Sequence, residues 1–150
     1  MVQSLATVAV HLVFSTESRR PYLDTELRPE LFAYLSGIIK NNSSNVYEIG
    51  GVEDHVHVLC SLPRTLSLAK LVEALKRNSS KWLKTKDSSL AFFAWQGGYG
   101  AFSVSPTSIE AVRQYIRNQE HHHQKSTFKN EFLALLKGSG TEYNPKYLWD

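Results

Sequence analysis

The chain opens on a run that is apolar at odd and even positions alike, Leu5-Ala-Thr-Val-Ala-Val-His-Leu-Val-Phe-Ser15. A strand buried on both faces reads this way, which predicts a central strand over 5–15. The period then lengthens. Asp24 or Thr25 can cap a helix starting near Pro29, with Leu31, Leu35 and Ile38 on one face and an end at Asn41-Asn42. Residues 45–52, closing on Gly50-Gly51, predict a second strand. After a turn at Glu53-Asp54, residues 55–62 predict a third, which Pro63 stops. A helical period returns from Ser67 to Lys84, with Leu68, Leu71, Leu75 and Trp82 on the buried face and lysines on the rest. A glycine-rich loop, 95–100, leads into a fourth strand over 101–105. The order β-α-β-β-α-β is the split βαβ, ferredoxin-like pattern, an α+β fold with an antiparallel sheet.

Two further helices are predicted. Thr107-Ser-Ile-Glu110 has the form of a capping box and opens a helix through His122. Ser126-Thr127 can cap a last helix with Phe128, Phe132 and Leu135 or Leu136 on its apolar face, closing at Gly138. The aromatic tail Tyr143-Asn-Pro-Lys-Tyr-Leu-Trp149 is expected to dock on the body. No repeat and no long linker divides the chain, so residues 1–150 read as one domain.

Composition narrows the class. With 42% hydrophobic and 21% charged residues the chain is expected to be globular. Its apolar runs fall short of the ~20 residues that a membrane span needs, and its start lacks the features of a secretory signal. A lone cysteine, Cys60, excludes an internal disulfide and suits the cytoplasm, where it is expected to pack in the core. The net charge of +3 is unevenly spread. Between 64 and 86, Arg64, Lys70, Lys76, Arg77, Lys81, Lys84 and Lys86 face only Glu73, leaving +6. Such a face attracts a phosphate backbone, or simply solvates a helix.

The candidate chemistry sits on the third strand and the first C-terminal helix. In Asp54-His55-Val56-His57-Val58-Leu59-Cys60 the two histidines alternate with valines. Val56 is expected to face the core while His55 and His57 leave the other, displayed face, close enough to share one metal ion. A histidine-triad nucleotide hydrolase would want a third histidine where Leu59 stands. Tyr115 and Gln119, four apart, share a helix face. The amide oxygen of Gln119 is a hard ligand suited to Mg²⁺ or Mn²⁺. Two imidazoles and one amide oxygen leave coordination positions open, as a catalytic site requires. His11 reads as a core or site-lining residue. Of His121, His122 and His123, at least two read as a polar helix end, and any one can position phosphate or protonate a leaving group.

His55-Val-His57, preceded by Asp54 and followed by Val-Leu, resembles the signature of HUH nucleases. His11-Leu-Val-Phe-Ser-Thr16, Arg19-Arg-Pro21, Lys76-Arg-Asn-Ser-Ser-Lys-Trp-Leu83, the segment 95–105 and Tyr115-Ile-Arg-Asn-Gln-Glu-His-His122 resemble the small single-tyrosine TnpA-type insertion-sequence transposases, in that family's order. The resemblance covers nearly the whole chain. It implies metal ligands at His55, His57 and Gln119, with Tyr115 as the nucleophile. It further implies cleavage and rejoining of single-stranded DNA at hairpin-marked ends through a 5′-phosphotyrosine, and a homodimer whose active sites combine the tyrosine helix of one chain with the histidines of the other. A domesticated relative acting on chromosomal palindromes would keep this chemistry. A replication initiator or relaxase would share it but has accessory domains for which 150 residues leave no room. A non-catalytic nucleic-acid-binding module would need only the basic helix and the aromatics.

Overall fold

The computed structural model describes residues 2–150. Four strands, β1 (Ala9–Ser15), β2 (Val46–Gly51), β3 (His55–Ser61) and β4 (Gly100–Val104), form one antiparallel sheet in the order β2-β3-β1-β4. Between them lie α1 (Leu27–Asn41) and α2 (Leu68–Lys84), which gives the ferredoxin-like order read from the sequence. Three helices follow, α3 (Ile109–Arg117), α4 (Gln119–His122) and α5 (Phe128–Ser139).

β1 is shorter than its apolar run. Its partners fix the limit, because Ala9 pairs with Ser61 of β3 and Val104 of β4, the last residue of each. Leu5 lies beyond the ladder and is 86% exposed. α1 starts two residues earlier than Pro29, where the Asp24 carboxylate accepts the Leu27 amide at 2.9 Å. Ser67 caps α2 by accepting from the Lys70 amide, and Thr127 caps α5 by accepting from Asn130. α5 runs through Gly138 to a left-handed Gly140, at φ 67°. Leu68 and Trp82 are only half-buried, while Leu71, Val72, Leu75 and Leu83 carry the buried face of α2.

The capping box at 107–110 does not form. The Ser105 hydroxyl bonds those of Thr107 and Ser108 at 3.1 and 3.0 Å, and Pro106–Ser108 make a 3₁₀ turn instead. The single helix expected through His122 is interrupted at Asn118, so Tyr115 lies in the last turn of α3 and Gln119 begins α4.

Alternate side chains of β1 and β3 serve two different layers. Leu12, Phe14, Val56, Val58 and Cys60 pack under α1 and α2 in the main core. Burial pushes the Cys60 thiol up to about 12, as an inert core residue requires. On the other face Val13 joins Phe128, Phe132 and Leu136 of α5. α3 lies close over β2 there. A Cβ at Gly50 would stand 2.7 Å from the Ile116 carbonyl oxygen, so this approach needs glycine.

Candidate active site

The antiparallel register sets Ser15 opposite His55, Val13 opposite His57 and His11 opposite Leu59. All six therefore point to the face away from α1 and α2. The alternation expected for His55 and His57 holds, but their exposure does not. Both are fully buried, because α3, α4 and α5 fold across the face that the sequence left open.

A carboxylate stands where these side chains meet. Oε1 of Glu131, from α5, lies 3.1 Å from Nε2 of His55, 3.1 Å from Nε2 of His57 and 2.9 Å from Nε2 of His123. Its Oε2 accepts from the Gln119 amide at 2.8 Å and from the Tyr115 hydroxyl. The Gln119 carbonyl oxygen is 3.1 Å from His55 Nε2. Tyr115 thus reaches the histidines of its own chain, with its ring 5.7 Å from that of His57.

Outer partners fix the rings. Asp54 holds His55 Nδ1 at 2.7 Å, leaving Nε2 for the centre. His11 Nε2 is 2.8 Å from His57 Nδ1 and plays the same part there. The Ser126 carbonyl oxygen holds His123 Nδ1 at 2.7 Å.

The electrostatics follow from this arrangement. Burial alone would discharge His55, but its hydrogen bonds to Asp54 and Glu131 outweigh that and raise it to about 9. Burial dominates at His57, lowered to about 4, and at His11, lowered to about 3. Glu131 is held well below the carboxylate range. Burial opposes its charge, and the hydrogen bonds from His123, His55 and His57 prevail. Burial and the Glu131 charge raise Tyr115 above the usual phenol range, so its hydroxyl stays protonated here.

The donor set fits a divalent metal. The ligand atoms of His55, His57 and Glu131 all lie within 4.8 Å of one another, a spacing that ligands around one ion at ~2.0–2.2 Å adopt. Gln119, expected as a ligand, stands beside them. Glu131 has no counterpart in the sequence reading, whereas His123 is one of the three histidines to which that reading leaves a site role open. The clue to Glu131 is its position, three residues after Phe128 and next to Phe132, where a carboxylate interrupts the apolar stripe of α5. His122 is half-buried beside Tyr115 with ring centroids 5.7 Å apart, and His121 is exposed.

The basic residues of α2 lie on the far side of the sheet. Arg64, Lys81 and Lys84 are exposed, while Lys70 and Arg77 pair with Glu73 at 3.4 and 3.0 Å. Lys76 departs from this group. Its ammonium donates to the carbonyls of Gln96, at 2.8 Å, and Gly98, and burial lowers it to about 8.

A four-stranded antiparallel sheet with helices in this arrangement matches the fold of a tyrosine transposase. The family described as "Transposase IS200 like" matches residues 4–119, and the chain belongs to it. No curated protein matches the chain. Among solved structures, a chain from Deinococcus radiodurans R1, provisionally named a transposase, has a TM-score of 0.62 and 24% identity, covering 79% of this chain and 98% of its own. A REP-associated tyrosine transposase bound to a REP hairpin has a TM-score of 0.60 and 13% identity, covering 82% of this chain and 74% of its own. Among the described residues no helix is long and apolar enough to cross a membrane.

Proposed function

We propose that this transposase cuts and rejoins single-stranded DNA through a tyrosine-linked intermediate. The observation that carries the reading is the convergence of the Tyr115 hydroxyl with His55, His57, Gln119 and Glu131 around one centre. Mg²⁺ or Mn²⁺ held by His55, His57 and an oxygen of Glu131 or Gln119 supplies charge stabilisation at the scissile phosphate.

The rest of the chemistry belongs to the chain. Tyr115 exchanges its hydrogen bond to Glu131 for the phosphate, and its oxygen forms a bond to phosphorus. The bond from phosphorus to the 3′ oxygen breaks. That oxygen leaves as a free 3′-OH, with the phenol's proton balancing it, and a 5′-phosphotyrosine remains. A 3′-OH from another strand reverses the step and restores Tyr115. His11, Asp54 and Ser126 keep the imidazoles aimed throughout.

Moving a segment needs two ends cut and held, and each chain offers one such tyrosine, so the working unit is a homodimer. The resemblance implies composite sites, whereas the geometry of the single chain favours sites built within each chain. A mixture of Tyr115→Phe with the His55→Ala, His57→Ala double variant separates the two arrangements. Regained cleavage means composite sites, and none means sites within one chain.

The hairpin of the DNA-bound relative supports hairpin-marked DNA as the substrate class. The test incubates labelled single-stranded hairpin DNA with protein and Mn²⁺ and resolves the products on a denaturing gel. Wild type yields a covalent adduct that Tyr115→Phe does not. An equal adduct from both proteins contradicts the proposal.

A further inference from the structure

Next to the histidine cluster lies a second cavity, of about 270 Å³, that the chemistry above does not use. β1, the loop 96–99, α5 and the aromatic tail enclose it. Its surfaces are rings, with Tyr99 40% exposed, Tyr147 57% exposed, and Trp149 against Phe128 and Phe132 at 6.4 and 6.1 Å between centroids. Among the described residues no acidic side chain lines it.

Cations surround these rings. The Arg19 guanidinium and the Lys129 ammonium stand 5.7 and 5.1 Å from the Trp149 ring centre. Lys76 is 5.9 Å from the ring of Tyr99, and Lys146 is 5.3 Å from that of Tyr147. Asp150 stands at the Gly97 edge. The floor includes Gly97 and Gly98. Gly98 has φ 81°, and a Cβ there would meet no atom within 4 Å, so the loop presents open backbone.

The cavity and the candidate metal centre share a wall. The Phe128 ring that lines the cavity lies 4.4 Å from the His55 ring, and Val13, also in the lining, pairs with His57. Accessible rings, a ring of cations and adjacency to a phosphodiester-cleaving centre together specify the occupant. An apolar peptide would not call for the cations, and a phosphate alone would not call for the rings.

We propose that this cavity seats an unpaired nucleobase of the single strand flanking the scissile phosphate, with the base on the rings of Tyr99, Tyr147 and Trp149 and the backbone beside Arg19, Lys129 and Lys146. This rests on the proposed reaction and adds a subsite to it. Stacking tolerates every base, so the subsite secures single-strandedness and leaves sequence to other contacts.

The experiment measures binding of labelled oligothymidylate, and of an abasic sugar–phosphate chain of the same length, to the full chain. Base stacking is expected to make wild type prefer oligothymidylate by roughly 10-fold. A Tyr99→Ala, Tyr147→Ala variant removes two exposed rings, keeps the melting temperature of wild type, and binds both probes alike. A variant that retains the preference, or a wild type that has none, overturns the proposal. The Tyr115 adduct is scored in parallel on labelled hairpin DNA with Mn²⁺, its single-stranded flank carrying either thymidines or abasic sugars. An adduct with no base preference removes the subsite and keeps the reaction. A base preference lost in the variant, with no adduct in wild type, keeps the subsite and removes the reaction.

Discussion

β1 and β3 build two unlike layers from alternate residues of the same two strands. Toward α1 and α2 they send Leu12, Phe14, Val56, Val58 and Cys60 into a dry core. Toward α3, α4 and α5 they send His11, Ser15, His55 and His57, all equally buried but held by the His11–His57 hydrogen bond and by bonds to Asp54, Gln96, Gln119 and Glu131. Burial of apolar surface stabilises the first layer, whereas burial of the second costs desolvation that only its full set of partners offsets. One layer holds the fold, and the other holds a site under its own lid. Period-2 alternation lets one pair of strands serve both without compromise.

The sharpest way to break this comparison is to change one layer and read out the other. On the site layer, His55→Ala with His57→Ala removes two candidate ligands and is expected to abolish metal-dependent cleavage while hairpin binding stays within a few-fold. Gel cleavage and anisotropy check this, and surviving metal-dependent cleavage would remove the histidines from the site. On the core layer, Leu12→Ala opens a cavity at a fully buried position and is expected to cost about 2–5 kcal/mol by urea unfolding. Adduct formation per folded molecule should not change. A core variant that folds but cannot form the adduct would mean that the layers are not independent.

The site layer should also give the metal-free protein a characteristic pH profile. His57 and His11 bind protons less readily folded than unfolded, so stability falls as pH drops from 6.5 toward about 4 and about 3. Glu131, depressed in the fold, adds to that acid loss. His55 works in the other direction. Its contribution is complete below 6.5 and fades as pH rises toward about 9. In chelator, the melting temperature should therefore peak near pH 6.5, and a flat profile would contradict the arrangement of these groups.

The smallest effect lies outside both layers, on α2 and the turn that precedes it. Neutralising Arg64, Lys81 and Lys84 should flatten the salt dependence of single-strand binding by about 0.7 log–log units for each true phosphate contact. Lys76, occupied by the 96–98 loop, should contribute less than these three. An unchanged slope would mean that the helix is merely solvated.

What the sequence made legible was local. The alternation His55-Val56-His57-Val58 placed the two chemistries on opposite faces, and Ser67 and Thr127 marked helix starts that the backbone uses. What it hid depends on distant partners. The histidines looked displayed because nothing near β3 announces that α5 will cover them. Glu131 reaches His57 across 74 positions of chain. The break at Asn118 was masked by a helical pattern running through it, so Tyr115 and Gln119 converge across a kink rather than along one helix. Lys76 looked like one more solvated lysine because its acceptors are backbone carbonyls, which carry no side-chain signature.

The central claim is that the second layer delivers Tyr115 to a phosphate, and the site of covalent attachment tests it most directly. Wild-type protein is reacted with hairpin DNA and Mn²⁺, digested with trypsin, treated with nuclease and mapped by mass. The residual nucleotide should be found on the peptide 114–117, which contains Tyr115 between cleavage sites at Arg113 and Arg117. A nucleotide on any other tyrosine, with 114–117 unmodified, would contradict the account.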